Sequence, residues 1–573
     1  MYGNLTKTDS FSGKRSIYYK VINFLQDNRS MSSILKQTFS RYATVLLLLC
    51  LTTQLAAADS QRLDPAGAPG KLVIGGGGSL PPAARQVFVA WAGGKDARLV
   101  IVPTASVRAD DAEASAVILK DWQDEEIADA VLMHTRSRDE ANSMEFVAAL
   151  EKATGVWFVG GSQQKIADAY VGTLFEERVL AVLKRGGVVG GSSAGAAIQS
   201  RVMIQSGTTQ ANIGQGFDLL PGTIIDQHFS QRNRLTRLMG AVDQNPLQVG
   251  LGIDEQTALL VQGRMMRVVG AGKVTVCYGK SDKYGLEAQQ ETYEHGASLD
   301  LTSLRRVARA RQAEPFPPMK TPAIKVKRGA LMIVGGGGMP LELVKEFVKL
   351  AGGEDANIVV LPTAMPDPLP GSTGKRMFAT VGATNVTVLT QRKLEDVESQ
   401  EMLRALKNAT GVWFGGGRQW RFVDAYEHTK AYPLLHAVLK RGGVIGGSSA
   451  GASIQGDYMA RGNPLGNLDI MAAGYERGFG FLPGVAIDQH FAQRNRFADM
   501  ASLVKRYPQV LGIGIDEATA LIVQGSVAEV RGVGKAHFFD RAADAVKADL
   551  GYLSVPSGKA FDLDKRSVIE REN

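Results

Sequence analysis

Cysteine is nearly missing from this 573-residue chain, which has only Cys50 and Cys277. A chain whose N-terminal leader removes Cys50 keeps one thiol and has no intrachain disulfide, so packing alone must hold it together. Cys277 sits in the apolar run Val274–Tyr278 and reads as a core residue, not a nucleophile. Histidine numbers only seven, and no His/Cys/Asp cluster has metal-ligand spacing, so no metal or other cofactor is called for. A long apolar run is also lacking: residues 43–51 are too few to span a bilayer. The formal charge of +8 is local. Residues 1–58 hold seven Lys/Arg against two acids, which leaves only +3 for the rest. Nothing there resembles a surface for nucleic acid.

The N-terminal charge has its own explanation. Lys36 and Arg41 precede the apolar stretch 43–51, and small residues follow up to Ala58. This order is that of a secretory signal cut after Ala58, which predicts a secreted or periplasmic protein without a stable membrane span after cleavage. A start at Met31 would give a better leader than Met1. Leu49 before Cys50 makes a poor lipoprotein box.

The remaining length exceeds one ordinary core, and it is filled by a duplication. GGVVGGSSAGAAIQ over 186–199 answers GGVIGGSSAGASIQ over 442–455. The matches run from Leu72 and Met332 onward, with an offset of 256 residues at the serines and 262 beyond them. The second copy therefore has six extra residues after its serine turn. A period this long means duplicated domains, not a solenoid. β-branched runs alternate with helical spacing in each copy, which predicts an α/β fold: two tandem, doubly wound, mostly parallel sheets. The expected domains are residues 70–302 and 328–573. Residues 303–327, basic and then proline-rich, read as a solvated linker.

Each copy contains G-x-S-x-G, around Ser193 and Ser449. The pattern turns a strand sharply into a helix and holds a hydroxyl out at the bend. A serine needs a base, and the base needs an orienter. One histidine context recurs in both halves, I-D-Q-H-F-x-Q-R-N-R, around His228 and His490. An acid follows each at the same distance of 27 residues, Glu255 and Glu517. The adjacent Asp254 and Asp516 are rival orienters, and sequence prefers neither. The run Gly75–Gly78 follows a strand, but Leu80 stands at the third glycine position of a dinucleotide loop. Close backbone approach accounts for it better.

Together the G-G-S-S-A-G-A elbow, the D-Q-H-F block and the G-I-D-E-x-T-A-L strand resemble the cyanophycinase and aspartyl-dipeptidase family of serine peptidases, family S51, over both copies. The resemblance implies a flavodoxin-like sheet akin to class I glutamine amidotransferases, although a serine, not a cysteine, stands at the elbow. It implies Ser193, His228 and Glu255 as nucleophile, base and orienter, with Ser449, His490 and Glu517 as their counterparts. It further implies oxyanion donors at Ala194 and Gly160 or Gly161, then at Ala450 and Gly416 or Gly417. For an aspartyl substrate it implies Gln163, Asp226, Arg232, Arg234 and Arg237 in the first copy, and Gln419, Asp488, Arg494 and Arg496 in the second. Asp499 stands where Arg237 stands, a departure within the pocket set. The expectation is a serine hydrolase acting on cyanophycin-like polymer or on short aspartyl or isoaspartyl peptides, with both copies active or one active and the other a non-catalytic binding domain, its halves packed as a pseudo-dimer.

Overall fold

The computed structural model describes residues 62–369, 371–372, 374–540 and 551–570. The leader read over residues 1–58 lies outside them. In the first copy an eight-stranded sheet runs in the order 298–300, 265–270, 257–262, 71–75, 188–192, 155–158, 98–102, 129–132. The five strands from 71–75 to 129–132 are parallel to their neighbours, and the other three join antiparallel at one side. The second copy repeats this plan in a nine-stranded sheet, again with a run of five parallel strands, 386–388, 358–361, 411–414, 444–448 and 326–334.

The central strands 71–75, 98–102, 155–158 and 188–192 are buried nearly end to end, as a sheet covered on both faces requires. Alternate residues feed different cores. Leu72, Ile74, Val100 and Val102 pack on one face, while Val73, Leu99 and Ile101 pack on the other. The same alternation divides Leu331 and Ile333 from Met332 and Val334 in the second copy. Cys277 lies in the interior, and burial pushes its thiol up to about 12, so it stays protonated and inert. Among the described residues no helix is long and apolar enough to cross a membrane.

Each half also carries a second, smaller sheet that sequence alternation does not reveal. In the first copy its order is 289–293, 274–278, 249–253, 223–227. Strands Thr223–Gln227 and Val249–Ile253 are parallel neighbours, with Gln227 opposite Ile253 and the helix Leu235–Gln244 between them in the chain. Strands 482–489 and 511–515 are paired in the same way in the second copy, with helix Phe497–Arg506 between.

The run read as a solvated linker is different in the structure. Leu301–Arg311 is a helix capped by Asp300, and Leu301, Leu304 and Ala308 are buried. Its Arg306 pairs with residues remote in sequence, Asp424 and Glu427 of the second copy. Arg264 pairs with both Asp300 and Asp424 and donates to the Tyr475 hydroxyl. From Leu63 onward the chain forms one compact unit, with both copies inside it.

Candidate active site

The parallel strand Val188–Ser192 lies between strands 71–75 and 155–158, near the middle of the large sheet. Ser193 follows it with φ 55° and ψ −112°, and the short helix Ala194–Ala197 begins at once. Ser449 adopts φ 57° and ψ −114° before Ala450–Ser453. A side-chain-bearing residue held there costs about 1–3 kcal/mol, which the surrounding sheet must sustain. The flanking glycines let the turn close. A Cβ on Gly195 would stand 2.1 Å from the Phe158 carbonyl oxygen, and one on Gly191 would stand 2.4 Å from that of Gly195.

The histidine and the acid come from the small sheet. Because strands 223–227 and 249–253 run parallel in register, both chains leave at the same end, and His228 and Glu255 emerge side by side. The constant spacing of 27 residues is therefore one strand–helix–strand crossover. His228 Nε2 lies 2.8 Å from Ser193 Oγ, and Nδ1 lies 2.6 Å from Glu255 Oε1. In the second copy the distances are 2.9 Å to Ser449 Oγ and 2.6 Å to Glu517 Oε1. An ionised carboxylate only accepts, so Nδ1 carries the hydrogen and Nε2 is left to accept from the serine hydroxyl.

The adjacent acids have different partners. Asp254 accepts from the backbone N–H groups of Ser230 and Lys273, so it fastens the histidine turn to the next strand. Asp516 does the same with Ala492 and Lys535, and it also meets His537 at 3.2 Å. Of these acids, Glu255 is the one that reaches His228, and Glu517 the one that reaches His490.

Both histidines are held below the ordinary imidazole range. Burial is the main cause; the hydrogen bond to the glutamate opposes it, and Arg232 or Arg494 adds to it. The rings are neutral at neutral pH. Gly160 lies beside the serine, where an added Cβ would stand 3.4 Å from Ser193 Cβ, and Gly416 has the same distance to Ser449. The N–H groups on either side of Gly160-Gly161 are engaged, Val159 with Val102 O and Ser162 with Ala105 O. Gly415 and Arg418 bracket Gly416-Gly417 in the same way. Ala194 and Ala450 start the short helices that follow the serines, so their N–H groups belong to helix N-termini.

The residues implied for the substrate pocket separate into two groups. Arg232 and Arg494 are exposed, on the turns after the histidines. The others hold the floor together. Gln163 donates to Ile204 O and Gln205 O, and Gln419 to Ala460 O and Arg461 O. Asp226 is buried, its carboxylate gripped by Arg237 through Nε at 3.0 Å and through Nη2, with Arg234 at 3.4 Å. Arg234 also donates to the Gln227 carbonyl at 2.6 Å. Burial lowers the Arg234 guanidinium to about 10 and raises the Asp226 carboxyl.

In the second copy Arg496 meets Asp488 at 2.8 Å, and the guanidinium that Asp499 fails to supply comes from elsewhere. Arg461, on the segment after the elbow, reaches Asp488 at 3.0 Å and Asp499 at 2.6 Å. Position 461 corresponds to Gln205 of the first copy, so the second copy supplies the arginine around its buried aspartate from a different position. Sequence reading missed Arg461; the signal available was the loss of arginine at 499 coupled with its gain at 461.

A family model described as peptidase family S51 matches residues 72–269 and again 331–531. The cyanophycinase of Synechococcus elongatus is 34% identical over 203 residues, 34% of this chain and 63% of the relative, so the chain spans less than two thirds of that protein's length. The cyanophycinase of Geminocystis herdmanii is 32% identical over 223 residues, 38% of this chain and 82% of the relative. Among solved structures, a peptidase from an acI-B1 Actinobacterium aligns at 20% identity over 41% of this chain and 98% of that one, with a TM-score of 0.31.

Proposed function

The chain belongs to peptidase family S51, and from that membership we propose that both halves are serine hydrolases cutting the peptide bond after an aspartyl residue. The proposed substrate is cyanophycin, a polyaspartate with arginine side branches, and the product is β-aspartyl-arginine. The observation that carries the reading is the serine–histidine–glutamate chain of contacts, present at matching distances in both halves. The relatives' names support the substrate.

In this reading Ser193 Oγ attacks the scissile carbonyl carbon while its proton passes to His228 Nε2. Glu255 stabilises the imidazolium through Nδ1–H and does not take the proton. The carbonyl oxygen, now an anion, lies against the N–H groups of Ala194 and the Gly160-Gly161 turn; such donors are worth about 3–4 kcal/mol each in the barrier. The imidazolium then protonates the leaving amine, and an acyl-ester on Ser193 remains. Water attacks that ester, giving its proton to the imidazole, and the serine is restored as the aspartyl acid departs. Ser449, His490 and Glu517 repeat the cycle, with Ala450 and Gly416-Gly417 as donors. The exposed Arg232 and Arg494 beside each histidine grip substrate carboxylates.

The test is incubation with insoluble cyanophycin and assay of soluble β-aspartyl-arginine. Wild type and each of Ser193→Ala and Ser449→Ala should release it, while the double variant should not. Release from short isoaspartyl peptides but not from the polymer would move the substrate to the short peptides. Release that survives loss of both serines would refute the mechanism. Export forms part of the same proposal, and a mature N-terminus at Asp59 in secreted or periplasmic protein is the expected result.

A further inference from the structure

The two serine sites differ in a wall that neither the serine nor the arginine block contributes. A cleft of about 450 Å³ opens at Ser193 and His228, and its far side is built by Arg85, Asp121 and Trp122. That volume is within the range of small-molecule sites. Arg85 lies over the Trp122 ring at 4.3 Å. Its Nε reaches Glu125 at 2.5 Å, its Nη1 reaches Asp121 Oδ2 at 2.9 Å, and its Nη2 donates to the Asp121 carbonyl. All three nitrogens of the guanidinium therefore donate within this wall. One cation against two carboxylates leaves this wall with a net charge of −1. Of the two carboxylates, Asp121 lines the cleft and is the more exposed, its side chain 68% exposed against 34% for Glu125.

The second copy removes every one of these charges. Its ring trio Phe347, Phe378 and Trp413 packs as Phe88, Trp122 and Trp157 do, with centroids 5.1–5.9 Å apart against 5.0–5.4 Å. Phe378 thus takes the place of Trp122, Met377 that of Asp121, and Val381 that of Glu125. Counting back from the shared Ala-Gly-Gly at 92 and 351, Val344 takes the place of Arg85. Val344, Met377, Phe378 and Val381 all join one apolar cluster. Where the first copy has one cation and two carboxylates at these positions, the second has only apolar side chains.

We propose that Asp121 makes the first site selective for a substrate bearing a cationic side chain, guanidinium or ammonium, and that the second site lacks this preference. The inference rests on the hydrolase reading above and adds a specificity residue to one of its two sites. Asp121 offers a carboxylate for charge-assisted hydrogen bonds. The indoles of Trp122 and Trp157 edge the same cleft but are almost fully buried, and Arg85 already lies over the Trp122 ring, so the carboxylate of Asp121 is the group offered to a cation.

The experiment compares an aspartyl peptide carrying arginine with the same peptide carrying citrulline, which keeps the shape and loses the charge. Turnover is read in the Ser449→Ala chain, where only the first site works, and in the Ser193→Ala chain, where only the second does. Binding is read by calorimetry in the double-serine variant with and without Asp121→Asn. The first site should favour arginine by about tenfold, Asp121→Asn should cut that ratio several-fold, and Asp121→Glu should keep much of it. The second site should give a ratio near one. Equal ratios at both sites, or a ratio unmoved by Asp121→Asn, would overturn the inference. Absence of turnover with Asp121-dependent binding intact would count against the hydrolase reading and leave this one standing.

Discussion

The backbone of Gly77 lies directly against the imidazole of His228: a Cβ built on Gly77 would stand 2.2 Å from Cε1 and 2.5 Å from Nε2. Gly77 also has φ +109°, a region that side chains disfavour. The glycine run after the first strand is thus a seat for the base. Gly77→Ala must displace the ring from Ser193, and a shift of about 1 Å in a catalytic group costs roughly 10²-fold in rate. Cyanophycin hydrolysis by a Ser449→Ala chain carrying Gly77→Ala should fall by at least that factor, with an unchanged circular dichroism spectrum. Gly336 bears the same relation to His490, so Gly336→Ala should do likewise in the other half.

Glu255 faces His228 Nδ1 while Asp254 is occupied by two backbone N–H groups. Glu255→Gln keeps the shape but removes the anion that fixes the tautomer, and a loss of roughly 10⁴-fold in first-site turnover is expected. Single-turnover kinetics in the Ser449→Ala background measures it. A near-normal rate would transfer the orienting role to another group.

The acid side of the rate profile follows from the histidines. Each is held below its ordinary value, by burial first, so the neutral base persists to lower pH than a free imidazole would allow. Activity is present above that lowered pKa and is lost as pH falls through it. The acid limb of kcat/KM should therefore have its midpoint under about 6.5. Arg232 pushes the His228 pKa down, so Arg232→Gln should move the first-site limb toward higher pH. A midpoint at or above the ordinary value would contradict the account.

Arg461 and Asp488 are both almost fully buried, and each loses its main compensation without the other. Breaking a buried pair from one side costs about 3–5 kcal/mol. Arg496 stays on Asp488 and moderates the loss. Arg461→Gln should lower the urea midpoint clearly. Adding Asp499→Arg recreates the first copy's arrangement and should recover part of the loss, which a double-mutant cycle would quantify.

What could be read from sequence follows from what is local. The elbow glycines and the 27-residue spacing are set by a tight turn and by one crossover between neighbouring strands, so short motifs carry them. The helix 301–311 was hidden because the charges that neutralise Arg306 lie 118 and 121 residues away, at Asp424 and Glu427. Asp121 and Glu125 meet Arg85 across 36 and 40 residues, and nothing in either segment signals the other. The small sheet escaped for the same reason: its strands at 223–227 and 249–253 resemble those of the large sheet in composition, and only their pairing separates them.

The most direct test of two serine-based sites in one chain is labelling by a fluorophosphonate, with the modified peptides identified by mass spectrometry. The account predicts phosphonyl adducts on Ser193 and on Ser449, each abolished by replacing the histidine of its own half, His228 or His490. Absence of label from both serines in folded protein would contradict it.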